Sequence, residues 1–186
     1  MPATEVRHFS LAGTCLGLSF SLAFDVADNQ SAVSKLKVQV PPQALAELAS
    51  FVAQIERTQS PHTFFRGFVQ YAEWNHQRAT LFQKLADGYP AIIRLPLGAD
   101  CAWSLVATNE ASKRGFHFVF SWRLVLDGQG RVQPQFQCTQ LILDTKAKKV
   151  PGLSSKFRAL LRLKGTEVAI RILTKLVAAG GAAVLG

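Results

Sequence analysis

The 186-residue sequence has few cysteines, no long apolar run and, near its C-terminus, almost no acidic residues. Its three cysteines, Cys15, Cys101 and Cys138, are scattered, which argues against a disulfide framework and favours a reducing compartment. No apolar stretch reaches the ~18–20 residues that a membrane-spanning helix needs. The stretch 11–24 looks like a signal-peptide core, but it alternates with small and polar residues and continues into a strand pattern. We therefore expect a cytosolic or nuclear protein with no membrane partner.

Motifs for binding metals or nucleotides are also absent from the sequence. The histidines His8, His62, His76 and His117 have no metal-ligand spacing, and no two cysteines lie close together. The glycines form neither a P-loop nor a dinucleotide-binding turn between a strand and a helix. His117 lies opposite the aromatic face of a predicted strand, which favours a surface histidine. We predict no metal and no cofactor.

Candidate catalytic residues are sparse. Each cysteine lies in an apolar, strand-like segment, which favours a buried thiol and leaves a cysteine-dependent enzyme as a minor alternative. Glu73, beside Trp74, is a candidate buried acid, but an exposed helix position near Arg66 or Arg78 is the simpler interpretation. The sequence therefore predicts that the protein is not an enzyme.

Basic residues are concentrated toward the C-terminus and account for most of the net charge of +9. From residue 131 onward there are ten Lys or Arg against Asp144 and Glu167, whereas the first 130 residues carry eleven against ten acidic residues. This segment is a candidate contact for an acidic protein surface or for the DNA backbone, and a solvated basic surface is the alternative. No helix-turn-helix signal supports sequence-specific DNA reading. We call these candidate contacts the basic ridge: Lys146, Lys148, Lys149, Lys156, Arg158, Arg162, Lys164, Arg171 and Lys175.

Two segments, 16–26 and 116–126, alternate apolar with small or polar residues at the period of a β-strand. In the first segment this pattern assigns Asp25 to the polar face. Residues 127–130 have the composition of a tight hairpin turn, and Pro134 predicts an edge strand or a bulge after it. Further strands are predicted at 6–12, 35–40, 91–95, 103–108 and 132–138.

Apolar residues at helical spacing predict four helices. The first spans 43–57, and the longest spans 62–87 after a start at Ser60 and Pro61. Two shorter helices follow, one capped by Ser154 or Ser155 and ended by Gly165, the other opened by Thr166. The longest helix carries two apolar stripes, which include Ala79 in one and Arg78 in the other, and we expect it to pack on more than one side. Its candidate partner-docking or core residues are Phe64, Phe65, Phe68, Tyr71 and Trp74.

The order of strands, helix, long helix, strands and two helices predicts an α+β fold with antiparallel sheets covered by helices. There is no regular β-α-β alternation, which argues against a doubly wound parallel sheet. The pattern of strands followed by helices occurs twice. We expect the 61–87 helix to join two lobes, of which the first is 1–60 and the second 61–180, followed by a flexible tail at 181–186.

Several short runs resemble, in their order and spacing, the centromere protein P family. No single run is diagnostic, and the collinear set over about residues 6–178 carries the resemblance. The runs are Phe64-Phe65-Arg66, Tyr71-Ala72-Glu73-Trp74, Arg78-Ala79-Thr80-Leu81-Phe82, Tyr89-Pro90, Arg114-Gly115-Phe116, Ser121-Trp122-Arg123, Asp127-Gly128-Gln129-Gly130-Arg131-Val132, Lys156-Phe157-Arg158-Ala159-Leu160-Leu161 and Gly165-Thr166-Glu167-Val168-Ala169.

The resemblance implies tandem RWD modules, here an N-terminal module at 1–60 that lacks its leading helix and a C-terminal module at 61–180. It also implies a non-catalytic subunit of the inner kinetochore, in the constitutive centromere-associated network of the nucleus. In that family the subunit pairs with centromere protein O, and together they hold centromere proteins Q, U and R. No coiled-coil-like region of the family type precedes Val6, so we expect a short isoform or a fragment.

Overall fold

The computed structural model describes residues 5–27, 32–95, 104–108, 116–142 and 151–179. The strands within these ranges are β1 Val6–Cys15, β2 Leu18–Ala27, β3 Val33–Gln39, β4 Ile93–Arg94, β5 Ser104–Thr108, β6 Phe116–Leu126 and β7 Val132–Ile142. The helices are α1 Pro42–Thr58, α2 Pro61–Gly88, α3 Leu153–Lys164 and α4 Thr166–Ala178. The predicted α+β class is confirmed. The predicted tail at 181–186 lies outside the described residues.

The strands form two sheets. One has three strands in the order β1-β2-β3, and the other has four in the order β4-β5-β6-β7. Each pairing whose register is defined is antiparallel, as predicted. The strand β7 lies at an edge of its sheet, which confirms the interpretation of Pro134, a residue without an N–H group.

The prediction of one strand over 16–26 is wrong at its start. Leu16 and Gly17 form the turn between β1 and β2, with φ angles of 47° and 83°. A glycine adopts positive φ without a steric penalty, so Gly17 suits a tight reversal. The strand predicted at 91–95 is also shorter than expected, since β4 consists of Ile93 and Arg94 only.

Asp25 is only 4% exposed, although alternation assigns it to the polar face of β2. The register irregularity between β2 and β3 is not the reason, because its extra residue lies on β3 and β2 pairs with β1 without a shift. The Asp25 carboxylate is instead in contact with His8 of β1 and Lys35 of β3. Contacts from the two neighbouring strands therefore bury a residue that alternation places on the polar face.

The predicted serine cap of α3 is wrong. The helix begins after Gly152, whose φ is 67°, and no side chain caps its first turn. The Ser155 hydroxyl donates to the Gly152 carbonyl at 2.8 Å, and the Ser154 hydroxyl donates to the Cys138 carbonyl at 3.2 Å. Both hydroxyls are therefore used for contacts other than the helix cap.

The chain divides into two compact units. Unit 1 comprises Met1–His76 and Leu124–Pro134, and unit 2 comprises Gln77–Arg123 and Gln135–Gly186. The long helix α2 contributes residues to both units, because the division falls between His76 and Gln77. The module bounds 1–60 and 61–180 stay a prediction.

The core of unit 1 contains an aromatic cluster around Phe20 of β2. Its ring centroid lies 5.9 Å from that of Phe64 and 5.2 Å from that of Phe68, both on α2. Beside this cluster, α2 approaches the turn before β7 closely, since a Cβ atom at Gly67 would lie 3.0 Å from the Cα atom of Gly130. Glycine at both positions permits this contact.

The core of unit 2 surrounds Trp122 of β6. Its ring packs against Phe136 of β7 and Phe82 of α2, with centroid distances of 5.0 and 6.3 Å. Arg78, only 2% exposed, donates a hydrogen bond to the Trp122 carbonyl at 2.6 Å. Its neighbour Ala79 is exposed, so the prediction that Ala79 belongs to a buried stripe is wrong.

Candidate functional site

The strand β1 forms a long exposed edge of the three-stranded sheet. All ten of its residues pair with β2, and eight of the ten are exposed. Three of these are large apolar side chains: Val6, Phe9 and Leu11 are 49%, 42% and 43% exposed. An edge of this kind offers backbone donors and acceptors together with apolar surface to another strand.

The opposite edge of the same sheet, β3, is covered by side chains from α1 and the residue after it. The Leu36 N–H donates to the Gln59 Oε1 atom at 2.7 Å, and the Val38 N–H donates to the Glu56 Oε1 atom at 3.0 Å. The Lys37 ammonium lies 3.5 Å from the other Glu56 oxygen. These contacts occupy groups that another strand would need.

Both edge strands of the four-stranded sheet are poorly suited to pairing with a further strand. At one end, β4 has only two residues, Ile93 and Arg94. At the other end, β7 contains Pro134, which has no N–H, and its Cys138 carbonyl accepts the Ser154 hydroxyl at 3.2 Å. Short edges, proline and covering groups all discourage strand pairing. Within the described ranges, β1 is therefore the long edge that its own chain leaves uncovered.

An ionic contact crosses the three-stranded sheet at Asp25 of β2. One carboxylate oxygen contacts His8 Nδ1 of β1, and the other lies 3.0 Å from the Lys35 ammonium of β3. The hydrogen bond from Lys35 is the main cause that holds the pKa of Asp25 below its ordinary value, with a further contribution from His8. Burial opposes this effect. Asp25 thus links all three strands.

The aromatic residues of α2 that were candidates for partner docking divide into two groups. Phe64, Phe68 and Tyr71 are fully buried, which agrees with the core interpretation. The Tyr71 hydroxyl donates to Glu47 at 3.0 Å. Phe65 and Trp74 are part-exposed, and their role in docking stays a prediction.

The basic ridge is exposed along α3 but partly paired on α4. The helix α3 has no acidic residue, and its four basic residues are all exposed. In α4, Arg171 pairs with Glu167, which also accepts the Lys84 ammonium at 2.9 Å. Lys84 is the main cause that keeps the pKa of Glu167 below its ordinary value. Lys175 is exposed, and the candidates Lys146, Lys148 and Lys149 lie outside the described residues.

A polar groove of about 560 Å³ lies beside α3 in unit 2. A second groove of about 530 Å³ runs along the end of β7 and the start of α3. Arg158 borders both grooves. The described residues that line the first groove are Ser121, Arg123, Gln135, Phe136, Gln137 and Arg158.

Neither of the two cysteines that the structure describes is exposed. Cys138 is buried, and desolvation raises the pKa of its thiol to about 12. Cys15 is part-buried, and Cys101 lies outside the described residues. In the part of the chain that the structure describes, no cluster of three or more His, Cys, Asp or Glu residues could hold a metal ion.

Two predicted surface positions agree with the structure. Glu73 is exposed, and His117 is part-exposed on β6.

Among the helices that the structure describes, none combines the length and the apolar character needed to cross a membrane.

Comparison with known proteins defines the class. Over residues 7–174 the sequence matches a family described as "CENP-A-nucleosome distal (CAD) centromere subunit, CENP-P". Centromere protein P of Homo sapiens is 30% identical over 182 residues, which cover 91% of this chain and 62% of the human protein. Centromere protein P of Gallus gallus is 28% identical over 182 residues, covering 92% of this chain and 63% of the chicken protein.

The chain belongs to the CENP-P family of centromere subunits, and its relatives indicate a location at the centromere in the nucleus. The resemblance seen in the sequence is thereby confirmed. The chain spans about 62–63% of the length of these two relatives.

Sequence reasoning missed two features of the candidate site. The open edge at β1 depends on strand order, which alternation does not encode. Arg123 of β6 and Arg158 of α3, which are 35 positions apart in the sequence, line the same groove. The alternation of residues after the hairpin does indicate that Gln135 and Gln137 lie on the same face of β7. This pattern is the part of the groove that the sequence could have predicted.

Proposed function

We propose that this chain is a non-catalytic structural subunit of the inner kinetochore, within the constitutive centromere-associated network. It pairs with centromere protein O, and the pair helps to hold centromere proteins Q, U and R and other inner-kinetochore subunits. Membership of a family described as centromere subunits supports this proposal. It acts by forming buried interfaces with other subunits.

The two sheets are consistent with tandem RWD-like modules at 1–60 and 61–180. The three-stranded antiparallel sheet is followed by α1, and the four-stranded sheet is followed by α3 and α4. Antiparallel sheets with helices on one face are the type of unit that an RWD module represents. Each module then offers sheet or helix surfaces to partners.

The exposed edge at β1 is the observation that carries the proposal. Backbone groups along a ten-residue strand can pair with a strand of a partner, while Phe9 and Leu11 add apolar contact. The β3 edge is covered by Gln59 and Glu56. We therefore assign the contact with centromere protein O to β1.

The test combines Phe9→Lys with Leu11→Lys and measures binding to purified centromere protein O. Lysine on an edge strand opposes pairing with another strand. We expect the Kd to rise by at least about tenfold, or ~1.4 kcal/mol, with a small loss of thermal stability because the Phe9 ring stacks on Phe24 at 5.5 Å. Val125→Lys is the matched control, since Val125 is an apolar strand residue that is 40% exposed on β6.

Two other results would contradict parts of the proposal. If the wild-type chain does not bind centromere protein O, the pairing itself is wrong. If the folded double variant binds as tightly as the wild type, the pairing stands but β1 is not its site.

Contact between the basic ridge and the DNA backbone is the second candidate function. The specific observation in its favour is that Arg162 and Lys164 are exposed and make no ion pair with another described residue. Phosphate contacts would weaken steeply as salt concentration rises. We expect Arg162→Ala with Lys164→Ala to reduce both the affinity for duplex DNA and its salt dependence, if this candidate is correct.

A further inference from the structure

The two large apolar residues in the middle of β1 are placed symmetrically about Ser10. Phe9 and Leu11 lie on either side of it and are 42% and 43% exposed. Phe9 pairs with Phe24 and Leu11 pairs with Leu22, and residues that lie directly opposite each other in a sheet share a face. Both apolar side chains are therefore on the same face of the sheet.

This symmetry makes the β1 edge complementary to a second copy of itself. A two-fold axis normal to a sheet brings two copies of an edge strand together in antiparallel orientation. With the axis at Ser10, Phe9 of each copy lies opposite Leu11 of the other, and residues 6–14 of both copies are paired. An axis at Leu11 pairs as many residues but places Phe9 opposite Gly13. The axis at Ser10 therefore gives the better match of apolar residues.

The same register keeps like charges apart. Arg7 is the one permanently charged residue of β1, and it lies opposite Gly13 of the second copy. The two Arg7 residues are then six positions apart along the paired strands, which is about 20 Å. Exposed charges at that distance are largely screened at physiological salt, where the Debye length is about 8 Å. Charge repulsion therefore does not oppose this pairing.

The other edge of the sheet limits the assembly to two copies. Two chains joined through β1 form a six-stranded sheet that has a β3 strand at each end. The β3 N–H groups of Leu36 and Val38 already donate to Gln59 and Glu56 of their own chain. A covered edge discourages the addition of a further strand. Association through β1 therefore ends at a closed dimer.

We propose that the free chain forms a homodimer by antiparallel pairing of two β1 strands, with the two-fold axis at Ser10. A contact about 30 Å long on a sheet about 10 Å thick covers roughly 300 Å² per copy, well below the ~800 Å² of a stable subunit contact. The homodimer is therefore weak and dissociates readily. It excludes the pairing of β1 with centromere protein O, and only this exclusion rests on the proposed function.

A single cysteine on the axis tests the homodimer and its register. In Ser10→Cys the two new thiols face each other across strands whose Cα atoms are about 4.5–5.5 Å apart, a distance that a disulfide can span. We expect mild oxidation of the full chain to give a disulfide-linked dimer. Ala12→Cys is the matched control, because Ala12 is also exposed on β1. Its two copies are four positions apart, about 13 Å, which is too far for a disulfide.

Paired substitutions test the apolar contact by sedimentation velocity. Phe9→Lys with Leu11→Lys places lysine opposite lysine in both contacts, and we expect the Kd of the homodimer to rise by at least about tenfold. Phe9→Lys with Leu11→Glu is the matched control, because the axis at Ser10 then places lysine opposite glutamate. We expect this control to dimerise more tightly than the double-lysine variant. Both variants lose the Phe9 ring, so the difference between them reports the register.

Three results would overturn the proposal. A wild-type chain that stays monomeric throughout the sedimentation series would exclude the homodimer. Equal cross-linking of Ser10→Cys and Ala12→Cys would indicate random collision without a fixed register. Equal dimerisation of the two lysine-containing variants would contradict the contact between Phe9 and Leu11.

Purified centromere protein O, added before oxidation, separates this proposal from the preceding one. A weaker Ser10→Cys cross-link in its presence would support both the homodimer and the shared edge. A cross-link that persists while centromere protein O is bound would support the homodimer and contradict the assignment of that subunit to β1.

Discussion

The two edge strands of the three-stranded sheet, β1 and β3, differ in how far the rest of the chain covers them. At β3, Gln59 and Glu56 accept backbone N–H groups, whereas at β1 most of the strand is exposed. The four-stranded sheet ends on a two-residue strand at one side and on a strand with a proline at the other. An uncovered edge promotes association, so these differences indicate which edge is available to a partner.

Removing the side chains that accept hydrogen bonds from β3 would leave this edge strand as open to pairing as β1. We expect Glu56→Ala with Gln59→Ala to lower the free energy of unfolding by about 2 kcal/mol, since the Leu36 and Val38 N–H groups lose their acceptors. We also expect increased self-association. Chemical denaturation and sedimentation velocity would measure the two effects.

Gln43→Ala is the control for this change, because Gln43 is exposed on the same helix, α1. A double variant that is as stable and as monomeric as the Gln43→Ala chain would contradict the idea that α1 covers this edge.

Removing the hydroxyl group that contacts β7 should have a smaller effect on the free energy of unfolding. Ser154→Ala removes the hydroxyl that donates to the Cys138 carbonyl, and we expect a loss of about 0.5–1 kcal/mol. Amide hydrogen exchange near Cys138 should become faster. Ser155→Ala is the control, since its hydroxyl donates to Gly152 instead. Unchanged exchange in Ser154→Ala would show that this contact does not protect the strand.

The smallest effect concerns the ionic contact that links β1 to β3. The pKa of Asp25 is lowered in the folded chain, mainly by Lys35. Its ionisation therefore stabilises the fold above the ordinary value of 3.8, and this contribution is lost as the pH falls through the lower folded value. We expect Lys35→Met to raise the pKa of Asp25 and to reduce the acid-dependent part of the stability.

An NMR titration of the Asp25 carboxyl carbon would measure this pKa directly. Lys37→Met is the control, because Lys37 lies on the same strand but pairs with Glu56 at 3.5 Å. If both variants shift the pKa equally, general surface charge and not the Lys35 contact controls it.

The sequence predicted the helices better than the details of the strands. The prediction of a helix over 43–57 agrees with α1 at Pro42–Thr58, and Ser60 with Pro61 correctly marked the start of α2. Those signals are local, because capping residues and apolar spacing act within a few turns. Strand β6 was also predicted with its observed bounds.

The errors arose where distant contacts decide the local structure. Asp25 is buried while its carboxylate contacts His8 of β1 and Lys35 of β3, and strand alternation contains no sign of these contacts. Ser154 looked like a helix cap, but its hydroxyl contacts Cys138 on β7. The neighbouring strand, which is remote in sequence, determines both outcomes.

By itself, the sequence determined the α+β class, the positions of the helices and the resemblance to the CENP-P family. Periodicity and the order of short residue runs are properties of the amino-acid sequence, so they can be recognised without a structure. Only the tertiary structure decided that β3 is covered while β1 is open, and that Arg123 and Arg158 share a groove. Coverage and proximity depend on which distant segments pack together, and that information is not contained in local patterns.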